Sequence, residues 1–239
     1  MADPRRLADD FVKALRGVAG DRLRAATLFG SAARGEWLEG VSDVNVLVLF
    51  DNIDAPLLSR VSPAARAAVP RGVRPLVMEL QEWRRAADVF GIELADMKDA
   101  HIPLHGDDPA AAFAYDATTL RFQAEHELRG KLLHLHAGMM LAEDAKRFGQ
   151  LLVHALPSFV TYLRVALRLA GESVPAAMRD VITQGCAVSG ASPNPFLTVL
   201  EARVSGASLA VSLTDPLANE FNHNAERLAA YVDAFGRKP

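Results

Sequence analysis

The sequence is poor in cysteine, in aromatic residues and in net charge. Its 239 residues include one cysteine, Cys186, and 7% aromatic residues, and the formal net charge at pH 7 is −3. A single cysteine excludes an internal disulfide and favours a reducing compartment. The small net charge gives no general electrostatic reason to bind nucleic acid or an anionic membrane surface. We therefore expect a cytoplasmic protein, and we expect neither nucleic acid nor a membrane as its partner.

Long apolar segments are also missing. The N-terminal stretch MADPRRLADDFVKALRG is charged and amphipathic, and it lacks the apolar core of a signal peptide. No uninterrupted apolar run reaches the roughly 18 residues that span a bilayer. Half of the residues are hydrophobic and 23% are charged, which is typical of a globular protein.

Helix and strand patterns alternate over residues 1–109. Apolar residues at helical spacing predict helices over 5–19 and 56–69. Apolar and β-branched segments predict strands at 25–30, 44–50, 73–80 and 91–97. The second of these is apolar at nearly every position, as in a buried central strand. Pro75 favours a sheet-edge position for the third, and the turn-forming residues 105–109 predict a loop.

From residue 110 to residue 239 only helical patterns follow. Proline and Asx residues mark the helix starts, and Gly171 marks the end of the second helix. The predicted helices are 116–141, 144–171, 175–188, 194–203 and 215–235. The sequence therefore predicts an α+β protein, in which a small mixed β-sheet flanked by helices occupies residues 1–109 and an all-α helical bundle occupies residues 110–239.

The segment 28–50, LFGSAARGEWLEGVSDVNVLVLF, carries the strongest chemical pattern. Gly30 and Ser31 form a tight turn after a strand, where glycine lets a ligand approach the backbone and the serine hydroxyl can hold a phosphate oxygen. A short helix beginning at this turn also favours an anion. Asp43 and Asn45 are separated by one residue on the next strand, so their side chains project from the same face, roughly 6–7 Å apart.

This arrangement suits a nucleoside triphosphate and Mg²⁺. Magnesium prefers hard oxygen ligands and is commonly bound by one or two carboxylates together with substrate phosphates. Two such ions could bind both the attacking and the leaving oxygen of an in-line displacement. Asp43 and Asn45 are therefore the predicted metal ligands, beside a nucleotide held at Gly30 and Ser31.

At these residues the sequence resembles the nucleotidyltransferase superfamily, which includes antibiotic adenylyltransferases, minimal nucleotidyltransferases and polymerase-β-like enzymes. The superfamily signature is a hydrophobic residue, Gly-Ser, a spacer, and then acid–hydrophobic–acid–hydrophobic. Phe29, Gly30 and Ser31 match its first part, and the segment 43–46 matches the second except at Asn45. The resemblance implies transfer of a nucleoside monophosphate from a triphosphate, taken as ATP, to a hydroxyl of a small-molecule or protein acceptor.

The resemblance also implies a third acid on a later strand. In the segment GIELADM that acid is Glu93, as a catalytic residue and a third metal ligand, and Glu79 and Asp96 are the alternatives. Asn45 stands where the second acid is expected, and its amide has no charge and only one ligating oxygen. Two interpretations follow: an enzyme with a weakened metal site, or a catalytically degenerate nucleotide-binding or interaction module.

The helical half resembles the helical domains that accompany kanamycin-type nucleotidyltransferases and the HEPN-like bundles. HEPN ribonucleases carry an arginine followed by a histidine at a short spacing, and Arg129 with His134 or His136 fits that pattern. In a ribonuclease, histidine would be the general acid or base and arginine would stabilise the phosphate. Alternatively, Glu125 and Arg129 line a ligand cleft or form an ordinary ion pair. The sequence leaves the acceptor and the base preference open, and it is compatible with a homo-oligomer.

Overall fold

The computed structural model describes residues 3–85, 89–111 and 116–236. The chain divides into two compact units, Met1–Asp116 and Ala117–Pro239. The sequence patterns predict a boundary between residues 109 and 110.

The first unit is built on a four-stranded mixed sheet with the strand order β3-β2-β1-β4. Its strands are β1 (Leu23–Phe29), β2 (Val44–Phe50), β3 (Val73–Glu79) and β4 (His101–Gly106). β1 is antiparallel to both β2 and β4, whereas β2 and β3 are parallel. The mixed sheet and its flanking helices confirm the predicted α+β class. The edge position of β3 confirms the prediction made from Pro75.

Helices cover both faces of this sheet. They are α1 (Pro4–Ala19), α2 (Ser31–Arg34), α3 (Ala55–Ala68), α4 (Leu80–Trp83) and α5 (Gly91–Asp99). α1 and α3 pack with Val44, Val46 and Val48 on one face. α4 and α5 pack with Leu47 and Leu49 on the other. β2 is therefore buried on both faces, which explains its continuous apolar sequence.

Asp54 fixes the start of α3 and ties it to the sheet. Its carboxylate accepts a hydrogen bond from the backbone N–H of Leu57 at 2.7 Å, as an N-cap residue does. The guanidinium of Arg22 donates a second hydrogen bond to it at 3.1 Å. The bond from Arg22, followed by the bond from Leu57, holds the pKa of Asp54 below its ordinary value.

Two predictions about the end of the first unit were wrong. Residues 91–97 are not a strand, because α5 spans Gly91–Asp99. Ile92 and Leu94 are both buried, and their alternation imitates a strand over a segment too short for its period to decide. Residues 101–106, where no strand was predicted, form β4. β4 lies at the sheet edge, where Pro103 is tolerated.

In its described residues the second unit contains five helices, and all of them were predicted. They are α6 (Ala117–Leu141), α7 (Ala145–Leu169), α8 (Met178–Ser189), α9 (Asn194–Ser205) and α10 (Pro216–Ala234). α7 packs against each of the other four, and the rings of Phe159, Phe196 and Phe221 contact one another at its centre. By length and composition α7 could cross a membrane, but 56% of its apolar window is buried inside the structure, as in a core helix.

Candidate functional site

Gly30 connects β1 to α2 through a backbone conformation that only glycine adopts readily. Its φ is 75° and its ψ is −150°, a region that is essentially restricted to glycine. A Cβ atom at this position would lie 3.0 Å from Nδ2 of Asn45. The side chain of Asn45 therefore packs directly against the Gly30 backbone, and the structure brings together these two predicted site residues.

Ser31 opens the single helical turn of α2. The N–H groups of Ala33 and Arg34 both donate to the carbonyl of Gly30 at 3.1 Å, which closes the turn. Ser31 is half-buried, and its hydroxyl makes no hydrogen bond to the part of the chain that the structure describes. The hydroxyl is thus available to a ligand. One turn of helix contributes little dipole, so any attraction for an anion must come from individual N–H groups and side chains.

Asp43 and Asn45 enter β2 beside this turn. Asp43 immediately precedes the strand, and its side chain is 53% exposed. Asn45 is half-buried and is paired with Phe29, the last residue of β1. The placement of Asn45 next to the Gly30 turn agrees with the strand register, and the placement of Asp43 on the same face stays a prediction.

Arg74 is a site residue that the sequence analysis did not identify. It is paired with Asn45 in the parallel register of β2 and β3, and its Nε lies 3.3 Å from Oδ1 of Asp43. Its NH1 donates to the carbonyl oxygens of Val69 at 3.0 Å and Val73 at 3.3 Å. The side chains of Arg74 and Asp43 are about half exposed, so this ion pair contributes roughly 0–1 kcal/mol.

The register also shows which residues of β3 share the face of Asn45. They are Arg74, Leu76 and Met78, the partners of Asn45, Leu47 and Leu49. The adjoining strand therefore presents a guanidinium and two apolar side chains on this face and no carboxylate. Arg74 could have been noticed in the sequence as a charged residue near the start of a mostly apolar strand.

The three candidates for the third acid lie on β3 and α5. Glu79 ends β3, at the opposite end of the strand from Arg74, and its Oε1 accepts a hydrogen bond from the N–H of Ile53 at 2.7 Å. Glu93 was predicted on a strand, but it lies on α5 and is half-buried. Asp96, one turn further along α5, contacts Arg34 of α2 with Oδ1 at 3.7 Å and with its carbonyl oxygen at 3.0 Å.

The donor set at the Gly30 turn fits one hard cation poorly and two not at all. Within residues 3–85, 89–111 and 116–236, no group of three or more histidine, cysteine or acidic side chains could hold a metal ion. Asp43 offers one carboxylate and Asn45 one neutral oxygen. A Mg²⁺ ion could use them only together with ligand phosphates and water, which is a common mode for this ion.

His101 occupies the far end of the same row across the sheet, because it is paired with Phe29 on the other side of β1. Its Nδ1 lies 2.6 Å from the carbonyl oxygen of Met97, and its Nε2 lies 3.0 Å from Oδ2 of Asp108. Burial raises the pKa of Asp108, but hydrogen bonds from His101 and the Ala110 N–H outweigh this and leave the pKa lowered. These contacts give His101 a structural role at the start of β4.

Arg129 and His136 of α6 have structural partners in the second unit. Arg129 lies 3.5 Å from Glu125 and 3.0 Å from Asp233 of α10. Nε2 of His136 lies 2.8 Å from Oδ1 of Asn222, also on α10. These contacts join α6 to α10, as ordinary interhelical polar contacts do. The resemblance to a HEPN ribonuclease stays a prediction.

Comparison with known proteins adds to this geometry. Residues 10–91 match the family model of the nucleotidyltransferase domain, and this segment contains the Gly30 turn, Asp43, Asn45 and Arg74. The fold is similar to that of spectinomycin adenyltransferase AAD(9) from Enterococcus faecialis, solved with ATP and spectinomycin, with a TM-score of 0.62 and 15% identity. The likeness covers 94% of this chain and 98% of that chain, and at this identity it shows a shared fold. Curated protein sequences give no match.

Proposed function

We propose that this protein is a nucleotidyltransferase that transfers a nucleoside monophosphate from ATP to a hydroxyl of a small molecule and releases pyrophosphate. The observation that carries the proposal is the contact between the Gly30 turn and Asn45, with Asp43 beside it. Support for a small-molecule acceptor comes from the similar fold of spectinomycin adenyltransferase, whose structure contains ATP and spectinomycin. A protein acceptor remains the alternative that the sequence allows.

In this proposal the Gly30 turn binds the triphosphate. Gly30 lets the backbone make this turn, and the N–H and hydroxyl of Ser31, which follows it, donate hydrogen bonds to the phosphate oxygens. The amide of Asn45 donates a further hydrogen bond through Nδ2. These donors orient the triphosphate, and correct orientation is a large part of catalysis in phosphoryl and nucleotidyl transfer.

Asp43 and Asn45 would hold one Mg²⁺ ion together with phosphate oxygens of the nucleotide. When bound, that ion supplies positive charge that offsets the charge of the phosphates. The carboxylate of Asp43 can serve as its ligand because the ion pair with Arg74 is half exposed and weak. The neutral amide of Asn45 leaves this ligand set weaker than two carboxylates would.

Glu93 is the residue to which we assign activation of the acceptor. The acceptor oxygen forms a bond to the α-phosphorus, the bond from that phosphorus to the pyrophosphate oxygen breaks, and the hydroxyl proton passes to the Glu93 carboxylate. Two contacts support this role. α5 packs on the sheet face of Leu47 and Leu49, and Asp96, one turn after Glu93, contacts α2 through Arg34.

A second candidate function is nucleotide binding without transfer. It is favoured by two features of the site. Asn45 replaces the second acid, and β3 presents Arg74 rather than a carboxylate on the face that it shares with Asn45. In this case the chain would bind ATP and signal its presence through the helical unit.

Isothermal titration with ATP, combined with pyrophosphate release in the presence of spectinomycin and other polyhydroxylated acceptors, separates the two functions. We expect Asp43→Asn to lower turnover about 100-fold or more, and Asn45→Asp to raise it about tenfold or more, since even outer-shell changes at metal sites alter activity by about 10–100-fold. Asp51→Asn is the matched control, because Asp51 is a half-exposed carboxylate after β2 that pairs with Arg22 at 3.6 Å.

The outcomes distinguish the functions clearly. ATP binding without turnover, both in the native protein and in Asn45→Asp, would support the binding module over the enzyme. ATP binding and turnover that survive Asp43→Asn as well as they survive Asp51→Asn would show that the site lies elsewhere.

A further inference from the structure

We propose that Arg74 is a phosphate-binding residue that supplies, from the protein itself, positive charge that a second metal ion would otherwise supply. This inference rests on the proposed function, because it assumes that a nucleoside triphosphate binds at the Gly30 turn. It predicts that the protein binds ATP with little dependence on divalent metal.

The sheet register places Arg74 within reach of that triphosphate. Phe29, Asn45 and Arg74 are consecutive partners across β1, β2 and β3. Neighbouring strands lie about 4.8 Å apart, so the backbone of Arg74 is roughly 10 Å from that of Phe29. Gly30 follows Phe29 directly, and Asn45, whose side chain packs against Gly30, is the partner of Arg74 on the neighbouring strand.

The charge balance of the site favours a cationic side chain over a second ion. A pair of metal ions suits a site with several carboxylates, because their negative charge offsets the charge of the metals. Asp43 matches the first acid of the superfamily signature, whereas Asn45 is neutral. The Nε atom of Arg74 lies 3.3 Å from Oδ1 of Asp43. Before a nucleotide binds, the guanidinium thus offsets the one carboxylate.

The hydrogen bonds of Arg74 hold it ready for this role. Its NH1 is fixed by the carbonyl oxygens of Val69 and Val73, which positions the plane of the guanidinium. Its Nε is held only by the half-exposed Asp43. An incoming phosphate can therefore replace Asp43 as the anionic partner, and arginine forms strong charge-assisted hydrogen bonds with phosphate oxygens.

Arg71 provides a matched comparison from the same region of the chain. It pairs with Asp10 at 3.8 Å, and the two side chains are 56% and 51% exposed. The Arg74 pair has nearly the same exposure, 50% and 53%. Arg71 lies in the helical turn before β3 rather than on the strand beside Asn45. Loss of a positive charge at either position changes the net charge equally, but only Arg74 is placed to contact the phosphates.

The test is ATP affinity measured by isothermal titration, in Mg²⁺ and in EDTA, for the native protein, Arg74→Ala, Arg74→Lys and Arg71→Ala. We expect the native protein to lose less than about tenfold in affinity when Mg²⁺ is removed. In EDTA, Arg74→Ala should bind ATP about tenfold or more weakly than the native protein, as expected for loss of a charge-assisted hydrogen bond. Arg74→Lys should fall between them, and Arg71→Ala should match the native protein.

Three results would overturn the inference while leaving the proposed function intact. In the first, the native protein binds ATP in Mg²⁺ but not in EDTA. In the second, Arg74→Ala binds ATP in EDTA as tightly as the native protein does. In the third, Arg71→Ala loses as much ATP affinity as Arg74→Ala. Absence of ATP binding under every condition would instead reject the proposed function itself. Thermal unfolding followed by tryptophan fluorescence verifies that each variant is folded, and Arg74→Lys decides the question if Arg74→Ala does not fold.

Discussion

Replacing Gly30 with alanine adds one methyl group at the turn where β1 meets α2. The new Cβ would lie 3.0 Å from Nδ2 of Asn45, which is closer than ordinary van der Waals contact. The substitution therefore perturbs the turn in two ways. It forces a side chain into a backbone conformation with φ 75° and ψ −150°, and it pushes the Asn45 amide away from the site.

The expected cost follows from these two effects. A non-glycine residue in this region of backbone space costs of order 1–3 kcal/mol. Gly35, at the other end of α2, has φ 75° and ψ 16°, and nothing lies within 4 Å of a Cβ added there. Gly35→Ala should therefore lower the free energy of unfolding only by the cost of a left-handed backbone conformation, about 1–2 kcal/mol. We expect Gly30→Ala to lose about 1 kcal/mol more stability than Gly35→Ala.

Urea unfolding followed by tryptophan fluorescence measures this difference in the relevant unit, because Trp37 and Trp83 both lie in the first unit and are the only tryptophans of the chain. With a typical m-value of about 1–3 kcal/mol per molar urea, a further loss of 1 kcal/mol lowers the midpoint by roughly 0.3–1 M. ATP titration of the same variants should show weaker binding in Gly30→Ala and native affinity in Gly35→Ala.

The reasoning fails if the two alanine variants have equal midpoints and equal ATP affinities. That result would mean that the Asn45 contact has no energetic weight and that the Gly30 backbone does not approach a ligand. A double variant, Gly30→Ala with Asn45→Ala, separates the two effects. It should regain the part of the stability that was lost to the contact and keep the part that was lost to backbone strain.

Three further predictions concern other parts of the chain. Burial raises the pKa of the Cys186 thiol to about 12, so the native protein should resist alkylation at pH 8, and modification should begin only when urea unfolds the second unit; rapid native-state labelling would contradict this. A Cβ at Gly149 would overlap the carbonyl oxygen of Leu209, so Gly149→Ala should lower the thermal stability of the second unit by calorimetry, whereas Gly130→Ala, with open space around it, should not. The pKa of Asp54 is lower in the folded protein, so its stabilising contribution is complete above its unfolded pKa of about 3.9 and is lost as pH falls through the folded value. In Asp54→Asn, the free energy of unfolding should therefore fall less steeply as the solution is acidified. An unchanged dependence on pH in the acid range would refute this.

The sequence allowed prediction of the parts of the site that local chemistry determines. Gly30 and Ser31 form a turn because only glycine suits the backbone there, and the strand that precedes them is mostly apolar. Asn45 was identifiable because an amide interrupts a continuous apolar run. The five helices of the second unit were predictable for a similar reason, since long segments show their period clearly.

The rest of the site depends on strand pairing, which the sequence does not display. Arg74 faces Asn45 only because β2 and β3 are parallel in one particular register, and a shift by one residue would turn Arg74 to the other face. Residues 91–97 belong to a helix, so Glu93 does not lie on the strand on which it was predicted. Ile92 and Leu94 fit either a strand or a helix there, and packing against Leu47 and Leu49 decides the outcome.

The edge position of β4 has a consequence for the order in which the sheet assembles. β1 pairs with β2 across a short connection, but Phe29 must find His101 across roughly seventy residues, and such distant pairing is slow because loop closure costs entropy before contacts form. We expect β1, β2 and β3 to form first and β4 to dock last. The neighbouring positions of Asn45 and Arg74 would then be set before the sheet is complete. In refolding and unfolding kinetics, destabilising substitutions in β4 should change the unfolding rate more than the folding rate.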